Sequence, residues 1–143
     1  MTVLVDTPVW SLALRRQPKN LKSKDHRIVG EWAELVRRRQ AAIIGPIRQE
    51  LLSGIREEAP FEELRRRLTP FLDTPLREED FVTAARFFNQ CRGQGIAPGA
   101  IDLLLCAVAH RSESAILSTD KDFDNYARYL PIRLHQIRPT RYH

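Results

Sequence analysis

The sequence predicts an α/β fold with three layers (α/β/α) and a mainly parallel central sheet of four to five strands. Short apolar runs alternate along the chain with longer segments of helical periodicity, which is the pattern of strands joined by crossover helices. One helical segment, 100–111, is apolar on nearly every side and is therefore expected at the centre. The 143 residues are 43% hydrophobic, enough for one core, so we expect a single domain spanning residues 1–143.

Short apolar or β-branched runs mark the strands, and 3.6-residue periodicity marks the helices. The predicted strands are residues 2–5, 41–44, 115–119 and 132–137. The predicted helices are residues 28–39, 46–57, 60–71, 77–92, 100–111 and 122–129. Pro46 suits the first turn of the helix that it begins. In the helix 77–92, four side chains at helical spacing are expected to point inward: Phe81, Ala84, Ala85 and Phe88.

Positive charge is in excess and is concentrated locally. The chain has 23 Lys and Arg against 18 Asp and Glu, a net charge of +5. Segment 15–27 holds six of these cations and one acid, Asp25, an imbalance that favours a polyanionic partner such as nucleic acid. The candidate nucleic-acid contacts in this segment are Arg15, Arg16, Lys19, Lys22 and Lys24. The Arg-Arg-Arg runs at 37–39 and 65–67 are interpreted as solvated helix faces.

Apolar runs and cysteine usage indicate a cytoplasmic protein. The longest apolar run, residues 103–109, is far shorter than the roughly 20 residues that cross a bilayer. The N-terminal stretch MTVLVD has no basic segment and shows no signal peptide. Cys91 and Cys106 both lie in predicted helices, and we interpret them as reduced thiols rather than as a disulfide framework.

Carboxylates stand where predicted strands end or helices begin. Asp6 directly follows the first strand, and Asp120 follows the third. Asp102 opens the central apolar helix, and Glu50 lies beside the apolar stripe of its helix, where an unpaired acid would be costly. In parallel sheets, binding and catalytic residues lie beyond the carboxyl ends of the strands, so we expect these side chains to converge there.

Each of these acids also has a purely structural interpretation. Asp6 could cap the next element and Asp120 could be a turn or cap residue. Asp102 could complement the positive end of its helix, and Glu50 could be an ordinary surface residue. As a group they are harder to explain in that way, because converging carboxylates repel one another unless a cation lies between them. Hard oxygen ligands in this number suit Mg²⁺ or Mn²⁺. Such a cation site, surrounded by basic segments that hold phosphates, is the arrangement that phosphodiester hydrolysis requires.

Four short motifs contain these acids. The stretch VLVDTPVW contains Asp6, RQELLSGI contains Glu50, and DLLLCAVA begins with Asp102. The last motif, LSTDKDF, contains Asp120 and Asp122. In this order the four motifs resemble those of the PIN-domain ribonucleases, most closely the VapC-type toxins of bacterial toxin–antitoxin pairs. The resemblance covers essentially the full chain.

The resemblance implies metal-dependent endonucleolytic cleavage of RNA. The catalytic residues would be Asp6, Glu50, Asp102 and Asp120. The ligands of Mg²⁺ or Mn²⁺ would be Asp6, Asp102, Asp120 and Asp122. The side chains that support and orient these groups would be Thr7, Ser118 and Thr119. The resemblance also implies a small cognate antitoxin protein as partner and a homodimer.

Two other functions fit parts of the pattern. A phosphatase that uses Asp6 as nucleophile needs a second aspartate two residues later, where this chain has Pro8. A catalytically silent nucleic-acid-binding or regulatory module with the same fold is the alternative hypothesis. The intact set of four acids argues against such a module, because a protein that had lost activity would tolerate Asn, Ser or Ala at those positions.

Overall fold

A parallel sheet of four strands organises the chain. The structure is a computed structural model that describes residues 1–15 and 18–137, apart from the side chain of residue 18. Its strands are β1 (Val3–Val5), β2 (Ala41–Ala42), β3 (Ala115–Leu117) and β4 (Arg133–Leu134), in the spatial order β2-β1-β3-β4. Every neighbouring pair is parallel, and Val3 lies opposite Ala41 on one side and Ala115 on the other. The predicted α/β class and parallel sheet are confirmed.

Seven α-helices accompany the sheet in the described part of the chain. They are α1 (Thr7–Leu14), α2 (Ser23–Arg37), α3 (Gly45–Leu52), α4 (Glu58–Leu68), α5 (Glu78–Gly93), α6 (Ala100–Ser112) and α7 (Asp122–Tyr129). A 3₁₀ turn, Pro18–Asn20, precedes α2. Helix α2 begins five residues before the predicted start at residue 28, so the end of the basic segment is helical. Helix α3 ends earlier than predicted, before Gly54, whose φ of 88° favours glycine.

Helix α1 is absent from the sequence prediction, and the core explains why it forms. Pro8 occupies a first-turn position, where its fixed φ suits a helix and its missing N–H costs no bond. Trp10 is fully buried, and its Nε1–H donates a hydrogen bond to the Val5 carbonyl at 2.9 Å. The helix has only eight residues, so its stability comes from this packing rather than from a periodic pattern that the sequence displays.

The inward face predicted for α5 is correct only in part. Ala84 and Phe88 are partly buried and pack against the core, whereas Phe81 is 53% exposed and Ala85 is exposed too. The apolar residues of α5 that the core buries fully are Phe87 and Cys91. Both sets of side chains recur at helical spacing, so periodicity alone does not distinguish the two faces. The four predicted side chains also line an open apolar cavity of about 500 Å³, shared with Pro46 and Leu104.

Helix α6 lies at the centre of the core, as predicted, and all of its residues from 103 to 109 are buried. It is tied to α5 by an ion pair in which the Arg111 guanidinium donates to the Asp80 carboxylate at 2.7 Å. Cys91 and Cys106 are buried free thiols. Among the described residues, no helix is both long and apolar enough to span a membrane.

The strand order places the carboxyl end of β1 at a topological switch point. From β1 the chain crosses to β2 on one side, while β3 lies against the other side of β1. The backbone N–H of Asp6 donates to the Leu117 carbonyl at 2.9 Å, which holds the ends of β1 and β3 together. In open parallel sheets the crevice at such a point is where ligands bind.

Candidate metal centre

Asp6 is the most buried carboxylate at the switch point, with 4% of its surface exposed. Its side chain does not cap α1, although it occupies the capping position. The Ser118 hydroxyl donates to Asp6 Oδ2 at 2.7 Å and accepts a hydrogen bond from the Asp120 backbone N–H at 3.0 Å. Ser118 therefore connects the carboxylate that follows β1 to the loop that follows β3.

Asp102 is held at the start of α6 by a residue that the sequence analysis misses. The hydroxyl of Tyr126, fully buried on α7, donates to Asp102 Oδ2 at 3.0 Å. The backbone N–H of Gly99 donates to the same hydroxyl at 3.4 Å. A Cβ at Gly99 would lie 3.3 Å from Asp102 Oδ2, so glycine leaves room for the carboxylate. The available signal is that Tyr126 follows Asp122 by four residues, one helical turn, in the last motif.

Three of the predicted ligands form one cluster. Asp102, Asp120 and Asp122 each place a carboxylate oxygen within 4.8 Å of the others. Asp120 also has the structural role considered above, since its Oδ1 accepts a hydrogen bond from the Asp122 backbone N–H at 2.9 Å at the start of α7. This bond orients one carboxylate of the cluster.

Glu50 lies at the rim of the site on α3. Its side chain is exposed, so the expectation of an energetic cost from burying this carboxylate is wrong. Its Oε1 accepts a hydrogen bond from the Thr7 hydroxyl at 2.5 Å. The carboxylate also raises the pKa of Asp102, although it contributes less than burial does. Thr7 thus connects α1 to the fourth predicted acid. Thr119, the remaining residue predicted to support the site, lies between Ser118 and Asp120 in the chain and lines two cavities.

The electrostatics of the site disfavour the ionised acids. Burial raises the pKa of Asp6 to about 6, and the charges of Asp102 and Asp120 add to the effect, against the opposing hydrogen bond from Ser118. Burial is also the largest cause of the raised pKa of Asp102, and the charges of the neighbouring carboxylates raise it further. In the described part of the chain, no Lys or Arg forms an ion pair with any of these acids. Among the residues that the structure describes, none therefore supplies a positive counter-charge to these acids through an ion pair.

The donor set fits a divalent cation. All candidate ligands are carboxylate oxygens, which are the hard donors that Mg²⁺ and Mn²⁺ prefer over nitrogen or sulfur. Cys106 lies one turn after Asp102, but it is buried and its pKa is raised by burial, so it stays a neutral thiol. A cation between Asp6, Asp102 and Asp120 would offset the mutual repulsion and would favour their ionised forms.

The basic residues predicted to bind nucleic acid do not all lie at this site. Lys24 lines a cavity together with Pro8 and Thr119, next to the acidic cluster. Arg15, in contrast, lies at the other end of α1 and lines a different cavity, against α4. Lys19 and Lys22 are exposed in the segment that leads into α2. Arg16 lies outside the described residues.

The structure thus combines a parallel α/β fold with a group of carboxylates at its switch point. The chain belongs to the PIN domain family, whose model matches residues 3–129. Two similar proteins are VapC ribonuclease Mb1587 of Mycobacterium bovis and Ribonuclease VapC11 of Mycobacterium tuberculosis. Each is 27% identical over 138 residues, which cover 95% of this chain and 99% of the relative.

Solved structures agree on the fold. The crystal structure of FitAcB from Neisseria gonorrhoeae has a TM-score of 0.74 at 20% identity, covering 94% of this chain and 97% of that one. A crystal structure of VapBC2 from Rickettsia felis, bound to a DNA fragment from their promoter, also has a TM-score of 0.74, at 15% identity. It covers 94% of this chain and 98% of its own. At these identities the likeness concerns the fold.

Proposed function

We propose that the protein is a metal-dependent endoribonuclease and the toxin component of a toxin–antitoxin pair. The observation that carries the proposal is the cluster of Asp102, Asp120 and Asp122, close enough to Asp6 for the charges of Asp102 and Asp120 to raise its pKa, and without a basic partner among the described residues. Such a group would repel a phosphodiester unless a cation lay between them, which explains why hydrolysis here would require Mg²⁺ or Mn²⁺. The names of the two mycobacterial relatives support RNA as the substrate.

The side chains divide into ligands and the residues that orient them. Asp6 and Asp102 would be the principal ligands. Asp120 and Asp122 would add two further carboxylates to the site. A bound Mg²⁺ or Mn²⁺ would supply Lewis-acid polarisation of the scissile phosphate and would ease the ionisation of water. Ser118 orients Asp6, and hydrogen bonds of this kind hold ligands in the geometry that a cation requires.

Glu50 is the acid best placed to act on water. It is exposed at the rim of the site. The Thr7 hydroxyl donates to one of its carboxylate oxygens, and the other oxygen has no hydrogen-bond partner in the described part of the chain. In the proposed reaction this oxygen orients the attacking water and accepts its proton. The geometry of Glu50 therefore supports a role in the reaction itself rather than in holding the cation.

The proposal extends to the assembly. The toxin role implies a small antitoxin protein, and the similarity to VapBC2 and to FitAcB supports such a partner. The homodimer and the single domain over residues 1–143 are also proposals. Helix α5 supplies exposed apolar side chains, Phe81 and Val82, that self-association would bury. Light scattering after size-exclusion chromatography, with Phe81→Glu as the variant, tests the dimer.

Cleavage of a total RNA pool tests the function. Wild type, Asp6→Asn and Asp102→Asn are compared in EDTA and in Mg²⁺ or Mn²⁺, with Asp124→Asn as a matched control on an exposed carboxylate of α7. We expect discrete fragments from wild type and Asp124→Asn in the presence of the cation only, and none from the other two variants. Equal RNA binding by all four proteins without cleavage would refute the ribonuclease and favour the silent binding module.

A further inference from the structure

A polar cavity of about 370 Å³ opens beside the acidic cluster. It lies between the first turns of α1, the first turn of α2 and the loop that follows β3. Its lining residues are Pro8, Ser11, Leu12, Lys24, Asp25 and Thr119. The volume falls within the range of about 300 to 1,000 Å³ that is usual for small-ligand sites.

The covalent chain connects this cavity directly to the candidate metal centre. Pro8 follows Asp6 by two residues, at the start of α1. Thr119 lies between Ser118 and Asp120, both of which belong to the network around Asp6. The cavity is therefore adjacent along the chain to two acids of the candidate metal centre, Asp6 and Asp120.

The cavity carries two charges that no other described side chain satisfies. Lys24 is exposed and Asp25 is half-buried, and in the described ranges 1–15 and 18–137 neither makes an ion pair or a hydrogen bond through its side chain. The flexible ammonium of a lysine binds phosphate as a point charge. A carboxylate only accepts hydrogen bonds, so it prefers the edge of a base that presents N–H groups. The Pro8 ring and Leu12 supply an apolar wall for the face of a base.

We propose that this cavity is a nucleotide subsite, in which Lys24 binds a backbone phosphate next to the scissile one and Asp25 selects a base that carries an amino group over uracil. The inference rests on the proposed ribonuclease function. Adenine, cytosine and guanine each present an amino group to an acceptor. Uracil presents a single N–H between two carbonyl oxygens, which the Asp25 carboxylate repels.

A second cavity shares Thr119 as a lining residue and is less suited to this role. It measures about 280 Å³ and is lined by Asp120 and Asp124 against one lysine, Lys121. Its excess of carboxylates repels a phosphate. His135, which also lines it, makes a 2.7 Å hydrogen bond with Glu31. The cavity with Lys24 has one cation and one acid, so it combines phosphate binding with base selection.

Short RNAs that differ only in the base next to the mapped cut site test the proposal. The variants are Lys24→Ala and Asp25→Asn, and the control is Arg37→Ala, which removes one exposed cation at the far end of α2, about 20 Å along the helix. We expect wild type to cleave the uracil RNA roughly 5- to 10-fold more slowly than the others. Asp25→Asn should reduce this ratio to about twofold, because an amide can donate to a uracil carbonyl.

Binding on a catalytically blocked background separates this inference from the function on which it rests. With Asp102→Asn present, Lys24→Ala should weaken binding of a fluorescent RNA about 10-fold and should reduce the slope of log affinity against log salt by roughly 0.7. Arg37→Ala should change neither. An unchanged base preference in Asp25→Asn, or equal effects of Lys24→Ala and Arg37→Ala, would overturn the subsite. Absence of cleavage by wild type would refute the ribonuclease, while the binding measurement would still decide whether Lys24 contacts RNA.

Discussion

Replacing Asp6 with asparagine should stabilise the metal-free protein while abolishing its activity. The Asp6 carboxylate is 4% exposed, and its pKa is raised from 3.8 to about 6. At pH 7 the difference of roughly two pKa units corresponds to a penalty of about 3 kcal/mol for keeping this group ionised in the folded state. Asparagine removes the charge and can still accept the hydrogen bond from Ser118. Its amide N–H groups need partners, which costs about 1 kcal/mol or more.

The net expectation for Asp6→Asn in EDTA at pH 7 is a gain of about 1 to 2 kcal/mol in the free energy of unfolding. For a chain of this size each kcal/mol shifts the melting temperature by roughly 3 °C, so the variant should melt about 3 to 6 °C higher. Urea denaturation gives the free energy, and thermal melting followed by circular dichroism gives the temperature. Asp124→Asn, an exposed carboxylate on α7, should change neither by a comparable amount.

The pH dependence identifies the cause of this gain. The pKa of Asp6 is raised on folding, so the penalty is fully present above about pH 6 and disappears as the pH falls toward the ordinary value of 3.8. Wild-type stability should therefore approach that of Asp6→Asn as the pH falls through this window. A variant that is less stable than wild type at pH 7 in EDTA, or a difference that does not change between pH 7 and pH 5, would refute this reasoning.

Three further predictions follow from contacts around the site and the core. Arg111→Ala should lower the free energy of unfolding by about 3 to 5 kcal/mol, because it leaves the Asp80 carboxylate, which is 1% exposed, without its ion-pair partner. A loss below about 1 kcal/mol in urea denaturation would contradict this prediction. Tyr126→Phe should weaken Mn²⁺ binding about 10-fold in isothermal titration calorimetry, since it removes the hydrogen bond that orients Asp102. An unchanged affinity would show that Tyr126 does not position this ligand. Mn²⁺ at about 100 times its Kd should stabilise wild type by roughly 2.7 kcal/mol and Asp102→Asn far less; equal stabilisation would place the cation elsewhere.

Much of the fold was predictable because it depends on local patterns. Alternating strands and helices indicate a parallel sheet, and a nearly uniform apolar helix, such as α6, indicates a central position. Positions at the carboxyl ends of strands follow directly, so residue order alone predicts Asp6 and Asp120 at the same edge of the sheet. Helix α1 was not predictable in this way, because Trp10 and its neighbours form it by packing against the rest of the core.

The sequence by itself determined the class of fold, the order of the elements and the acids available to bind a cation, because these depend on residue type and on short-range periodicity. Only the tertiary structure decided which face of α5 the core buries, since two apolar stripes on that helix satisfy the same period. It also decided that Tyr126 orients Asp102 and that Lys24 and Asp25 share a cavity with Thr119. Those residues lie far apart along the chain, and their side chains meet only because the sheet and its helices bring the elements together.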